Sequence, residues 1–247
     1  MRKPLVVGNW KMHGRRASVA ALVRSIIGDR QGGSAEVVVC PPSVFLAEVA
    51  AQIMGTGVAL GAQDLSEYDE GAYTGDVSGA MLKDFGCQYV IVGHSERRFI
   101  FGETDVRVVG KFAAAQRWGL TPILCVGESL AEREAGSTLV VIRNQLQAVV
   151  NRVGRAALAS AVIAYEPVWA IGSGRTATPT QAQDVHRAIR AELGEYGAAT
   201  RILYGGSVKA ANVAELLCED DIDGVLVGGA ALNADEFNAI CAIADRN

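Results

Sequence analysis

The sequence predicts an α/β protein: a single-domain (β/α)8 barrel over residues 1–247, with eight parallel strands closed into one sheet. Three observations carry that expectation. Eight short apolar, β-branched runs recur along the chain, their first residues spaced by about 31, close to what a strand–helix–strand crossover requires. The runs are apolar throughout rather than alternating, as in strands covered on both sides. No linker or composition break divides the 247 residues, a length that α/β barrels use for one domain.

In chain order the strands are expected at residues 5–8, 37–40, 58–61, 89–92, 122–126, 162–165, 202–204 and 224–227. The segments between them read as helices. Thr178, Pro179 and Gln181 supply an N-cap, a first-turn proline and a capping-box partner. Val185, Ile189 and Leu193 follow on one helical face, and Gly194 and Gly197 supply stops. Thr104 likewise precedes Val106, Val109 and Ala113, with Gly119 at the end. Eight such units favour a closed barrel over an open sheet. The first strand also runs into Gly8-Asn9-Trp10-Lys11 instead of the G-x-G-x-x-G turn of a dinucleotide-binding sheet.

Composition removes several function classes. Half the residues are hydrophobic and 20% are charged, enough apolar material for a large core. The longest uncharged stretch, residues 49–63, is short and broken by glycine and glutamine, so no membrane span is expected. The N-terminus lacks the apolar core of a secretory signal, which points to the cytoplasm. Twenty-three basic residues stand against twenty-seven acidic ones, and the densest basic clusters are the pairs Arg15-Arg16 and Arg97-Arg98, so nucleic-acid binding is not expected. Five scattered cysteines without Cys-x-x-Cys spacing read as reduced thiols partly buried in the core. The three histidines show no metal spacing.

In a barrel of this kind the active site lies at the C-terminal ends of the strands. Polar residues follow the apolar runs repeatedly: Asn9 and Lys11, then Gln63, then His94 and Glu96, then Glu166. One such residue alone reads as a solvated loop position; several on one rim point to chemistry. Glu166, set between an apolar run and Pro167, is the candidate general base, its pKa expected to rise in an apolar setting. His94 opens Ser95-Glu96-Arg97-Arg98, which reads as a helix start; a helix N-terminus disfavours the imidazolium and suits a neutral donor. His186, inside the 185–193 helix, reads as a surface residue, and His13 lacks a convergent partner. The turns Gly205-Gly206-Ser207 and Gly228-Gly229 let backbone N–H groups approach an anion, and barrels commonly build a phosphate site after strands seven and eight. Taken alone, these turns favour an anion site, with tight connections and nothing more as the alternative. Residues 167–177 combine a proline, an apolar centre and small residues, the makings of a lid.

The residues quoted so far resemble those of the triosephosphate isomerase family over essentially the whole chain. The resemblance rests on six motifs: Gly8-Asn9-Trp10-Lys11-Met12, Gly61-Ala62-Gln63, Gly93 to Arg98, Ala164 to Gly172, Tyr204-Gly205-Gly206-Ser207-Val208 and Val227-Gly228-Gly229-Ala230. It implies a TIM barrel that interconverts glyceraldehyde 3-phosphate and dihydroxyacetone phosphate without cofactor or metal. Glu166 would move the proton and neutral His94 would polarise the carbonyl oxygens. Lys11 and Asn9 would supply charge and a further donor, with Glu96 supporting Lys11. Gly172, Ser207, Gly228 and Gly229 would hold the phosphate, and Tyr204 with Ser207 would hold the lid closed. Residues 63–78, from Gln63 to Ser78, resemble the loop that docks beside a partner's active site, which implies a homodimer.

Four positions depart from the family's usual residues: His13, Ser173, Arg175 and Ala231. None falls on a proposed catalytic position. Two other functions fit the residues less well: an aldolase using Lys11 as a Schiff-base nucleophile, and a catalytically silent barrel that binds phosphorylated metabolites.

Overall fold

The computed structural model describes residues 2–28, 32–172 and 175–247. Eight parallel strands, β1 (Leu5–Asn9), β2 (Glu36–Cys40), β3 (Val58–Ala62), β4 (Tyr89–Val92), β5 (Thr121–Val126), β6 (Val162–Tyr165), β7 (Arg201–Tyr204) and β8 (Gly224–Val227), pair in sequence order, and β8 closes onto β1. The closed barrel predicted from spacing is what the chain forms. Several strands begin or end a residue outside the apolar run. Asn9, for example, is the last residue of β1, its partner across the ladder being Cys40.

The continuous apolar character of the strands follows from two cores. Alternate residues such as Leu5, Val7, Val38, Ile91, Ile123 and Leu203 point into the barrel and pack there. Their neighbours, including Val6, Val37, Val90, Leu124 and Ile163, pack outward against the helices. At the N-terminal end, Arg201 of β7 donates to Glu36 of β2 at 2.7 Å and to the Tyr89 hydroxyl of β4 at 2.9 Å. This polar plug spans the barrel at the end opposite the site. Burial opposes the Glu36 charge, but Tyr89 and Arg201 together hold its carboxyl below the usual range.

Among the described helices, four matter most here. They are α1 (Ser95–Phe99), α2 (Asp105–Arg117), α3 (Pro179–Glu192) and α4 (Ala234–Ala244). The capping box forms as read: the Thr178 hydroxyl accepts from the Gln181 amide, and the Gln181 side chain accepts from the Thr178 amide. Val185, Ile189 and Leu193 are all buried. In the Asp105–Arg117 helix the expected face is only partly right: Val109 is buried, but Val106 is 79% exposed, and Val108 and Phe112 pack beside Val109 in its place.

The largest correction concerns His186. It is not on the surface but 0% exposed, beneath the rings of Tyr165 and Tyr204. A histidine on a helix is amphipathic, and strand-end tyrosines distant in sequence chose its face. Cys40, Cys87, Cys125 and Cys241 are buried and Cys218 is exposed. No helix among the described residues is long and apolar enough to cross a membrane.

Candidate active site

The site is built from the backbone upward at the C-terminal mouth. Lys11 is the one non-glycine residue among those described with a positive φ, +50°. A left-handed conformation costs of the order of 1 kcal/mol and needs support. Asn9 accepts a hydrogen bond from the Lys11 amide at 3.0 Å, and the Gln63 amide donates to the Lys11 carbonyl at 2.8 Å. So held, Lys11 projects its ammonium to Glu96 Oε1, 2.6 Å away.

His94 is the N-cap of the Ser95–Phe99 helix, and its Nδ1 accepts from the Glu96 amide at 3.2 Å. That bond puts a lone pair on Nδ1 and the proton on Nε2. Nε2 then lies 2.9 Å from Oε1 of Glu166. The Ser95 amide donates to Oε2 of the same carboxylate at 2.8 Å, the Ser95 hydroxyl donates to Oε1 at 3.3 Å, and the Cys125 thiol adds a further donor. Glu166 is only 2% exposed.

These contacts correct one expectation and complicate another. Burial does push the Glu166 carboxyl upward, but His94, the Ser95 amide and Cys125 outweigh it, and the resting pKa is lowered. Burial likewise pushes His94 downward, yet the Glu166 charge, with Glu96 behind it, draws its pKa above the ordinary value. The helix start still resists protonation, since a proton on Nδ1 would break the bond from the Glu96 amide.

Next to this pair opens a cleft of about 640 Å³. Asn9, Lys11, His94, Glu166, Gly172, Ser207, Gly228 and Gly229 all line it, whereas Gln63, Glu96 and Tyr204 lie outside its wall. His13, read as partnerless, lines it too. The segment expected to form a lid is anchored at two points. The Ser207 hydroxyl donates to the Ala170 carbonyl at 2.6 Å, and Trp169 Nε1 donates to Glu128 at 2.9 Å. Tyr204 Oη, buried, faces the Ala177 amide without a hydrogen bond of standard geometry. Ser173 and Gly174 lie outside the described residues. Ala231 is fully buried beside Gly8 and Phe237, a setting without use for a hydroxyl.

A second cavity, about 360 Å³, shares Asn9, Lys11 and His94 and runs under residues 63–77 toward Arg97 and Phe101. Two contributors were not singled out as site residues. Ser95 acts through its backbone amide, which residue type does not announce. Cys125 acts as a thiol donor from inside β5. The signal for Ser95 was its place after His94 at the helix start, where an amide points out of the first turn.

A closed parallel barrel with these groups converging at its C-terminal mouth belongs among the (β/α)8-barrel enzymes. The triosephosphate isomerase family model matches residues 4–244. Relatives named triosephosphate isomerase include those of Dechloromonas aromatica and Thiobacillus denitrificans, each 58% identical, and of Pseudomonas entomophila, 56% identical. All three alignments cover 99% of this chain and at least 99% of the relative. The chain belongs to the triosephosphate isomerase family, and its enzyme class is that of the aldose–ketose isomerases.

Proposed function

We propose that this enzyme interconverts glyceraldehyde 3-phosphate and dihydroxyacetone phosphate in the cytoplasm, for glycolysis and gluconeogenesis, through an enediolate and without cofactor or metal. The observation that carries the reading is the contact of Glu166 with His94 beside a cleft lined by glycine turns. The substrate's phosphate lies against Gly172, Ser207, Gly228 and Gly229, where backbone N–H groups compensate its charge. Its carbonyl oxygen faces His94 Nε2–H, Lys11 and Asn9, donors aimed at the place where negative charge develops.

Glu166 removes the proton from the carbon beside the carbonyl and returns it to the neighbouring carbon. To do so the carboxylate leaves the Ser95 amide. Freed of that bond and of His94, it keeps the upward push of burial and becomes the stronger base the step requires. His94, no longer facing the carboxylate, is returned toward neutrality by burial and by the Glu96 amide. Glu96 orients Lys11, and Tyr204 with Ser207 holds the lid over the bound substrate, excluding water.

The whole chain works as one domain and as a homodimer through residues 63–78. The loop is braced from within: Tyr68 and Tyr73 stack at 4.1 Å, and Ser66 donates to Asp76 at 2.7 Å. Exposed Met12, Val44, Ile100 and Phe101 supply apolar surface of the kind a partner covers. A coupled assay of glyceraldehyde 3-phosphate isomerisation tests the reading, and absence of turnover by pure dimer rejects it.

A further inference from the structure

His186 takes no part in the chemistry above, yet it is fully buried and tied to both arms of the lid. Its Nδ1 lies 3.2 Å from the Asp221 carbonyl, which fixes the proton there and leaves Nε2 a buried lone pair without a partner. The ring is edge-on to Tyr165, centroids 5.9 Å apart at 84°, and 6.5 Å from the Tyr204 ring. Each tyrosine reaches a different arm. The Tyr165 hydroxyl donates to Glu128 Oε1 at 3.1 Å, the same oxygen that receives Trp169 Nε1 from the first arm. Tyr204 Oη sits tightly against Gly206, where a methyl group would come within 2.2 Å, and faces Ala177 of the second arm. Burial keeps both hydroxyls and the imidazole in their neutral forms.

We infer that His186 is a positioning residue for the lid: its ring backs Tyr165 and Tyr204 at once, holding the anchors of both lid arms in register from behind. This rests on the isomerase reading of the site. The ring touches neither the cleft nor Glu166, so its influence reaches the reaction only through the two tyrosines. A lid is closed by binding energy from the non-reacting part of the substrate, here the phosphate. Loosening the anchors therefore costs the phosphorylated substrate and spares one that lacks the phosphate.

The test compares glyceraldehyde 3-phosphate with phosphate-free glyceraldehyde on purified variants. His186→Leu fills most of the volume, and Arg190 Nη2 still donates to the Asp221 carbonyl at 2.9 Å, so no buried acceptor is stranded. Expected is a fall of about tenfold or more in kcat/KM for the phosphorylated substrate, with glyceraldehyde turnover changed less than about threefold. His186→Phe, which restores a flat ring, should recover most of the loss. Equal losses on both substrates would mean general damage and overturn the inference, as would His186→Leu matching the wild type. His186→Phe reproducing the selective loss would assign the effect to the imidazole nitrogens and overturn the ring's role. Should His186→Leu not accumulate, His186→Gln replaces it with the same expectations. Wild-type turnover, measured alongside, tests the isomerase reading separately.

Discussion

His94 Nε2 stands 2.9 Å from Glu166 Oε1, so in the resting site the proposed base and the proposed carbonyl-polarising donor are hydrogen-bonded to each other. Each is the largest electrostatic influence opposing the other's burial: the carboxylate is drawn down and the imidazole up. In the proposed reaction, substrate entering between them replaces that contact.

Glu166→Gln keeps the shape and a hydrogen-bonding head but cannot accept the proton. Turnover should fall by about 10²–10⁴-fold while inorganic phosphate still competes for the cleft. Steady-state kinetics with phosphate as inhibitor check this; unchanged kcat rejects Glu166 as the base.

Gly127→Ala probes the backbone that carries the base. A Cβ at residue 127 would lie 1.8 Å from the Glu166 carbonyl oxygen, an impossible approach, so the segment at Glu166 must shift. A displacement near 1 Å in a catalytic group costs on the order of 10²-fold. The variant should lose kcat by that order with little change in KM, and full activity would show that Glu166 tolerates the movement.

Thr74→Arg places a long charge on the exposed tip of the loop assigned to the dimer contact. Sedimentation should show a shift toward monomer at micromolar concentration, and with it lower activity. A dimer of wild-type strength would move the interface elsewhere.

His186 makes a prediction on stability. Burial depresses its pKa to about 4, from 6.5. The fold holds the neutral ring, while the unfolded chain takes up a proton below about 6.5. The contribution is thus fully present above that pH and is lost as pH falls toward 4, about 3 kcal/mol in all. Urea unfolding of the wild type and His186→Phe at pH 7, 5.5 and 4 should show the wild type losing its relative advantage across that window. Parallel pH dependences would contradict the assignment.

The strands were legible because a barrel strand is buried on both sides, which leaves an unbroken apolar run in sequence. Their ends shift by a residue because ladder bonds, not hydrophobicity, decide where pairing stops, as Asn9 opposite Cys40 illustrates. The polar strand ends Asn9, Lys11, His94 and Glu166 were legible as unusual residues in repeated positions. Their electrostatic state was not. The downward pull on Glu166 comes from a backbone amide at Ser95, a thiol at Cys125 and an imidazole at His94, and only folding brings these together. His186 was misread for the same reason, since Tyr165 and Tyr204 stand about twenty residues before and after it. Val106 shows a smaller version of the problem: helical spacing selects a face only to within one residue.

The barrel interior is filled by side chains such as Val7, Ile91 and Leu203, and its far end is crossed by Arg201, Glu36 and Tyr89. The fold therefore offers traffic a single doorway. A ligand cannot pass through the molecule, so each departing product must vacate the passage by which the next substrate arrives. Reaction in either direction is served by the same opening, and either triose, when abundant, obstructs the other simply by standing in it.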